Sequence, residues 1–100
     1  MPKPPYADQD DADDLLELLH TERDLTHLRV RRRGGVLTIE SGPKDDVVQH
    51  ARLRRVTQHK WTLEVATHMG EWQATGLREP MPVLVQTLKQ QFPWVLTPLE

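Results

Sequence analysis

The chain contains no cysteine. Disulfide bridges and thiolate metal sites are therefore excluded, and the fold must be held by packing and hydrogen bonds. A cysteine-free chain suits a reducing compartment, so we expect the protein to be cytoplasmic. No run reaches the roughly 20 apolar residues of a membrane-spanning helix, and no apolar leader follows the first charge. We therefore expect no membrane partner and no export signal.

Catalytic motifs are missing as well. Ser41 is the only serine, which we expect in a turn without a base beside it, and there is no Gly-rich phosphate loop or nucleophile elbow. Metal-ligand residue types recur at helical spacing in one place: Glu17, His20, Asp24 and His27. That side of an amphipathic helix is polar in any case, and no His-Glu-x-x-His motif is present. We predict no enzyme, no metal site and no cofactor.

Charge is distributed unevenly, although the formal net charge is only -2. Residues 1–22 hold seven acidic residues and one lysine, whereas residues 23–60 hold ten basic and four acidic residues. The first eleven residues are Pro-rich and then acidic, with too little apolar surface to offset the entropy of ordering. We predict a disordered acidic tail over residues 1–11 and a single domain over residues 12–100.

Hydrophobic periodicity predicts two helices around five strands. The first helix follows the tail, ends near Leu25 and carries an apolar stripe that includes Leu15 and Leu19. Five alternating stretches come next, at 28–33, 36–40, 47–56, 61–67 and 71–75. A second helix spans residues 80–92 and ends at Pro93. The predicted fold is α+β, with a five-stranded antiparallel meander sheet and both helices on one sheet face.

Two turns predict which side chains share a face of the sheet. Gly34-Gly35 is a two-residue hairpin signal, which pairs Arg29 with Glu40. A tight turn at Met69-Gly70 predicts that Val65 pairs with Ala74 and Thr67 with Trp72. That register places Trp72 and Ala74 on the core face. We expect all three tryptophans in the core: Trp61, Trp72 and Trp94.

The same register gathers five arginines on the face that points away from the core: Arg29, Arg31, Arg33, Arg52 and Arg54. Guanidinium groups bind phosphates and carboxylates in pairs, so this array is typical of a surface for an anionic partner. An ordinary solvated face is the alternative, because Arg29 can pair with Glu40 and Arg52 with Glu64. A pI near 6.2 and the lack of tyrosine or phenylalanine in the strands favour that alternative.

These observations predict a small non-enzymatic binding module that contacts a nucleic acid or an acidic protein through the five arginines. One hypothesis is that the acidic tail screens those arginines in part. The favoured alternative is that Asp8 to Asp14 only solubilise the terminus and cap a helix, since blocks of charge are usually solvated. The alternative is a self-associating structural protein without a nucleic-acid role, since an open sheet has two edges that need to be covered or paired.

Overall fold

The computed structural model describes residues 7–21, 25–57, 59–67 and 70–96. The elements in chain order are helix α1 (Gln9–His20), strands β1 (Arg29–Arg33), β2 (Val36–Ser41), β3 (Val48–Arg55), β4 (Trp61–Ala66) and β5 (Trp72–Glu79), helix α2 (Met81–Gln91) and a 3-10 helix (Pro93–Leu96). The five strands form an antiparallel sheet in the order β1-β2-β3-β4-β5. The predicted α+β meander is confirmed. Among the described residues, no helix is long and apolar enough to cross a membrane.

Helix α1 begins earlier than expected, because Asp8 and Asp11 form a capping box. The Asp8 carboxylate accepts from the Asp11 N–H and the Asp11 carboxylate accepts from the Asp8 N–H, both at 3.0 Å. Ala7 is buried, and its N–H donates to the Gly34 carbonyl at 3.0 Å. Residues 7–11 thus pack with the domain instead of extending the tail, and the disorder predicted for residues 1–6 lies outside the described residues.

The opposite end of α1 is also earlier than expected. The helix ends at His20, with Thr21 as its C-cap, instead of near Leu25. The described part of the chain resumes at Leu25, which is buried in the core. Arg23 and Asp24, which the sequence analysis assigned to this helix, lie outside the described residues.

The core lies between one face of the sheet and the two helices. Strand residues and helix residues join in one apolar cluster that includes Leu37, Leu53 and Leu63 from the sheet and Leu15 and Leu84 from the helices. Burying one such leucine contributes about 1.5 to 3 kcal/mol. Both helices therefore cover the same sheet face, as predicted, and no helix within the described residues covers the other face.

The predicted register of the last hairpin is wrong by one residue. Trp72 lies opposite Ala66 and Ala74 opposite Glu64, so both point away from the core. The connection between Thr67 and Glu71 contains three residues and ends with Gly70 at a φ of 79°, a geometry that favours glycine. Since a shift of one residue exchanges the two faces of a strand, the extra turn residue explains the error.

The three tryptophans accordingly have different surroundings. Trp61 is 3% exposed and belongs to the core, as expected. Trp72 is partly exposed on the helix-free face, and Trp94 is 66% exposed, so the core prediction is wrong for both.

Candidate functional site: the open face of the sheet

The helix-free side of the sheet, here called the open face, is built from two rows of residues that cross all five strands. One row is Arg31, Thr38, Arg52, Glu64 and Ala74, and the other is Arg33, Val36, Arg54, Thr62 and Arg78. None of these ten residues is buried. Arg29 lies beside the first row, opposite Glu40. The structure therefore brings all five predicted arginines to one face and adds Arg78.

Arg52 is engaged within the open face. Its Nε and Nη2 donate to the two carboxylate oxygens of Glu64 at 3.0 and 3.1 Å. Its guanidinium carbon lies 4.3 Å from the centre of the Trp72 ring, which is a cation–π distance. The hydrogen bonds from Arg52 lower the pKa of Glu64, against the opposing effect of burial, and the charges of Arg52 and Arg54 act in the same direction. The charge of Arg52 is thus balanced by Glu64, and its guanidinium group is held by contacts with Glu64 and the Trp72 ring.

Arg29 is engaged as well, at the end of the first hairpin. Its Nε lies 3.4 Å from Oε1 of Glu40, and its Nη1 donates to the Gly42 carbonyl at 2.6 Å. The Glu40 side chain is 7% exposed, and its Oε2 has no hydrogen-bond partner in the described part of the chain. Gly42 has a φ of 88°, and a Cβ there would lie 2.8 Å from the Asp46 carbonyl oxygen. Arg29 therefore fastens a turn that requires glycine.

Four arginines of the open face are exposed and unpaired, and we call them the open arginines: Arg31, Arg33, Arg54 and Arg78. None makes an ion pair, a side-chain hydrogen bond or a ring contact within the described ranges. Arg31 and Arg33 are two residues apart on β1, or about 7 Å. Arg33, Arg54 and Arg78 follow one row at intervals of two strands, or about 10 Å each. The open arginines thus form a spaced cationic array.

Arginines on the helix side behave differently. Arg55 pairs with Asp11 of α1 at 2.8 Å, and its guanidinium carbon lies 5.1 Å from the Trp61 ring centre. Arg32 donates to the Ala7 carbonyl at 3.4 Å. The aspartates from Asp8 to Asp11 therefore lie on the helix side, opposite the open arginines. This segment therefore does not screen the charges of the open arginines, and the rest of the tail lies outside the described residues.

Two members of the set at helical spacing, His20 and His27, are hydrogen-bonded to backbone carbonyls. Nε2 of His20 lies 2.7 Å from the Leu28 oxygen, and Nε2 of His27 lies 3.0 Å from the Leu96 oxygen. Since a carbonyl oxygen only accepts, both nitrogens carry hydrogen and are turned away from a metal. Within the described residues, no group of three or more histidine or acidic side chains is arranged to hold a metal ion.

A polar cluster around His50 was missed by the sequence analysis. Ser41 ends β2 instead of lying in a turn, and its Oγ is 2.7 Å from Nε2 of His50. Nδ1 of His50 is 2.7 Å from the Val95 oxygen, so we assign the hydrogen to Nδ1 and the Ser41 hydroxyl as donor to Nε2. Burial lowers the pKa of His50, against the opposing hydrogen bond to Val95, and the nearby His27 lowers it further.

This order of hydroxyl, imidazole and acceptor resembles that of a serine nucleophile, but a carbonyl replaces the usual carboxylate. Ser41 is 7% exposed, and it does not line the neighbouring cavity of about 380 Å³, whose described walls include His50, Phe92 and Trp94. The cluster instead joins the sheet to the 3-10 helix, together with His27, whose ring packs edge-on against His50 at 6.2 Å. Its hydrogen bonds stabilise the packing of the 3-10 helix against the sheet.

No known protein family, curated protein sequence or solved structure matches this chain. We therefore infer a function from the geometry and charge of the open face.

Proposed function

We propose that this chain is a non-enzymatic binding module of the cytoplasm whose open face holds single-stranded nucleic acid. The observation that carries this proposal is the set of four open arginines, which are exposed and without an ion-pair partner among the described residues. Unpaired guanidinium groups donate in a planar fork that matches phosphate oxygens. Their spacing over about 20 Å of sheet suits an extended anionic chain better than a single small anion.

The corrected register supports a nucleic acid over other polyanions. Trp72 lies on the open face beside Arg52, partly exposed, where a ring can stack against an unpaired base. The strands contain no tyrosine or phenylalanine, and Trp72 supplies an aromatic ring on the open face in their place. An aromatic ring and an arginine row on one sheet face are the combination used to bind single strands.

The low pI does not argue against this surface. Glu40 and Glu64 on the open face are paired with Arg29 and Arg52, and the other described acidic residues lie elsewhere. Five of them belong to α1, which covers the opposite side of the sheet. An α-helix with its side chains is about 10 to 12 Å thick, whereas charges are screened over about 8 Å at physiological ionic strength. A phosphate chain on the open face is therefore governed by the local arginines and not by the net charge of -2.

Fluorescence anisotropy with a labelled mixed-sequence single strand tests the proposal at several salt concentrations. Four phosphate contacts predict that log affinity falls with log salt with a slope of about -3. Replacing Arg31 and Arg54 by serine removes two contacts and should reduce the slope by about half. The matched control, Lys44→Ser with Lys60→Ser, removes the same charge from exposed turn positions outside the open face.

Two results of the anisotropy titration would contradict the proposal. One is the absence of salt-sensitive binding even at low ionic strength. The other is an equal loss of affinity in the lysine control and in the arginine variant, which would assign the effect to net charge. Binding to an acidic protein instead of the oligonucleotide would likewise remove nucleic acid as the partner.

Self-association through the two sheet edges is the alternative drawn from the sequence, and at one of these edges, β1, it meets a specific obstacle. Four of the five residues of β1 are arginines. An antiparallel pair of two β1 strands would place like charges opposite each other, which destabilises the pairing. Edge charges of this kind protect a sheet against edge-to-edge association.

A further inference from the structure

The outer side of α1 carries an acidic stripe: Asp10, Asp13, Asp14 and Glu17, all exposed. Their offsets of three, four and seven residues place them on one side of the helix, opposite Ala12, Leu15 and Leu19, which pack into the core. At a rise of 1.5 Å per residue the stripe is about 10 Å long. Within the described residues, Asp10, Asp14 and Glu17 make no ion pair.

The acidic stripe and the open arginines are complementary in charge and in length. Arg33 and Arg54 are about 10 Å apart across β2, the length of the stripe. Within the described residues neither set makes an ion pair, although Asp13 accepts a hydrogen bond from the Gln9 side chain at 2.9 Å. A convex helix can also lie against a helix-free sheet face without meeting another element.

We propose that the open face binds the acidic stripe of a second copy of this chain, so that copies stack head to tail. The two surfaces lie on opposite sides of the sheet, so a pair of copies keeps one free acidic stripe on one copy and one free open face on the other. A contact of this kind is heterologous and repeats instead of closing into a dimer. The net charge of -2 leaves little overall repulsion between copies.

This inference goes beyond the proposed function while using the same arginines. A nucleic acid and the helix of a second copy cannot occupy the open face together. Stacking would therefore regulate access to the face, since phosphate chains and neighbouring copies compete for it. The contact consists of exposed ion pairs, which are individually weak and sensitive to salt.

Sedimentation velocity on the full chain, without nucleic acid, tests the inference over a range of protein concentrations. At 0.01 M salt, where charges are screened over about 30 Å, the average mass should rise steadily with concentration above 11.6 kDa. At 1 M salt, with screening over about 3 Å, it should return to the monomer mass. A chain that stays monomeric at low salt and high concentration would overturn the proposal, as would association that 1 M salt leaves unchanged.

A charge swap identifies the two surfaces. Arg31→Glu with Arg54→Glu makes the open face acidic, and Asp14→Lys with Glu17→Lys makes the stripe basic. Each variant alone should remain monomeric at low salt, whereas an equal mixture should associate, because the native stripe of the first meets the native face of the second. Recovery in the mixture also shows that both variants are folded. Association of either variant alone at the wild-type level would refute the assignment.

The same variants separate this inference from the proposed function. Asp14→Lys with Glu17→Lys keeps all four open arginines and should bind the single-stranded oligonucleotide at least as tightly as the wild type. Oligonucleotide binding by a wild-type chain that never stacks refutes only the stacking. Stacking by a chain that ignores the oligonucleotide refutes only nucleic-acid binding.

Discussion

The two faces of the sheet are made by the same strands and differ in what their residues must satisfy. Leu37, Leu53 and Leu63 on the core face are almost fully buried, whereas their strand neighbours Thr38, Arg52 and Thr62 remain partly exposed. The core face is constrained by packing against two helices, so its residues are explained by stability. Within the described residues, the four open arginines make no ion pair and no side-chain hydrogen bond, and this difference is the basis of the proposed binding surface.

The largest expected effect that tests this difference concerns two tryptophans, one on each face of the sheet. Trp61→Ala on the core face should lower the unfolding free energy by about 3 to 5 kcal/mol. Trp72→Ala on the open face should cost only about 1 to 2 kcal/mol, because it removes a partly exposed ring and its cation–π contact with Arg52. Urea denaturation followed by circular dichroism measures both. An equal loss would mean that β5 has the register expected from sequence, with Trp72 inside.

A smaller effect concerns the protonation state of the buried His50. His50 is neutral in the fold, so His50→Gln should cost about 1 to 3 kcal/mol at neutral pH by leaving the buried Ser41 and Val95 groups poorly matched. Because burial lowers the pKa of His50 below 6.5, the unfolded chain takes up a proton first as pH falls. The stability that His50 contributes is present above pH 6.5 and is lost as pH falls through the folded pKa.

Denaturation midpoints measured at a series of pH values check this behaviour. The wild-type midpoint should fall as pH decreases below 6.5, and the His50→Gln profile should be flatter there. His59→Gln, at an exposed position, serves as the matched control and should retain the wild-type slope. Equal slopes in wild type and His50→Gln would contradict the assignment of a neutral, buried His50.

The smallest effect concerns the open face, where the folded state favours a charged group. A double-mutant cycle with Arg52→Met and Glu64→Gln should give a coupling of about 0.5 to 1 kcal/mol, since the pair is partly exposed. Arg52 lowers the pKa of Glu64, so this stability is present above pH 4.5 and is lost as pH falls through the folded pKa. Coupling that survives protonation of Glu64 would show that packing, and not charge, joins the two residues.

Local turn chemistry explains how much of this architecture could be predicted. Gly34-Gly35 admits one common hairpin geometry, so the register of β1 and β2 and the face of Arg31 and Arg33 followed directly. The loop before Glu71 admits either two or three residues with a glycine, and the wrong choice hid Trp72 from the open face. Arg78 was missed for another reason: the fifth strand was expected to end at residue 75, whereas β5 continues to Glu79.

Other parts of the site depend on tertiary contacts that no sequence pattern reveals. The register of β2 and β3 shifts between Ile39 and Glu40, and His50 becomes buried next to Ala51 instead of alternating outward. Its partner Val95 is 45 residues away along the chain. A buried strand position that holds a histidine is a signal, but it becomes readable only when the bulge is known.

The meander order has a consequence for how the open face is inherited. One contiguous segment, residues 29–55, holds three consecutive strands joined by two turns. Its first and third strands carry five of the six arginines of the face: Arg29, Arg31, Arg33, Arg52 and Arg54. Insertions in the helices or in the last hairpin would leave that segment intact. Replacing that segment would therefore move most of the cationic surface as a single piece, together with the core residues Leu37 and Leu53 on its other side.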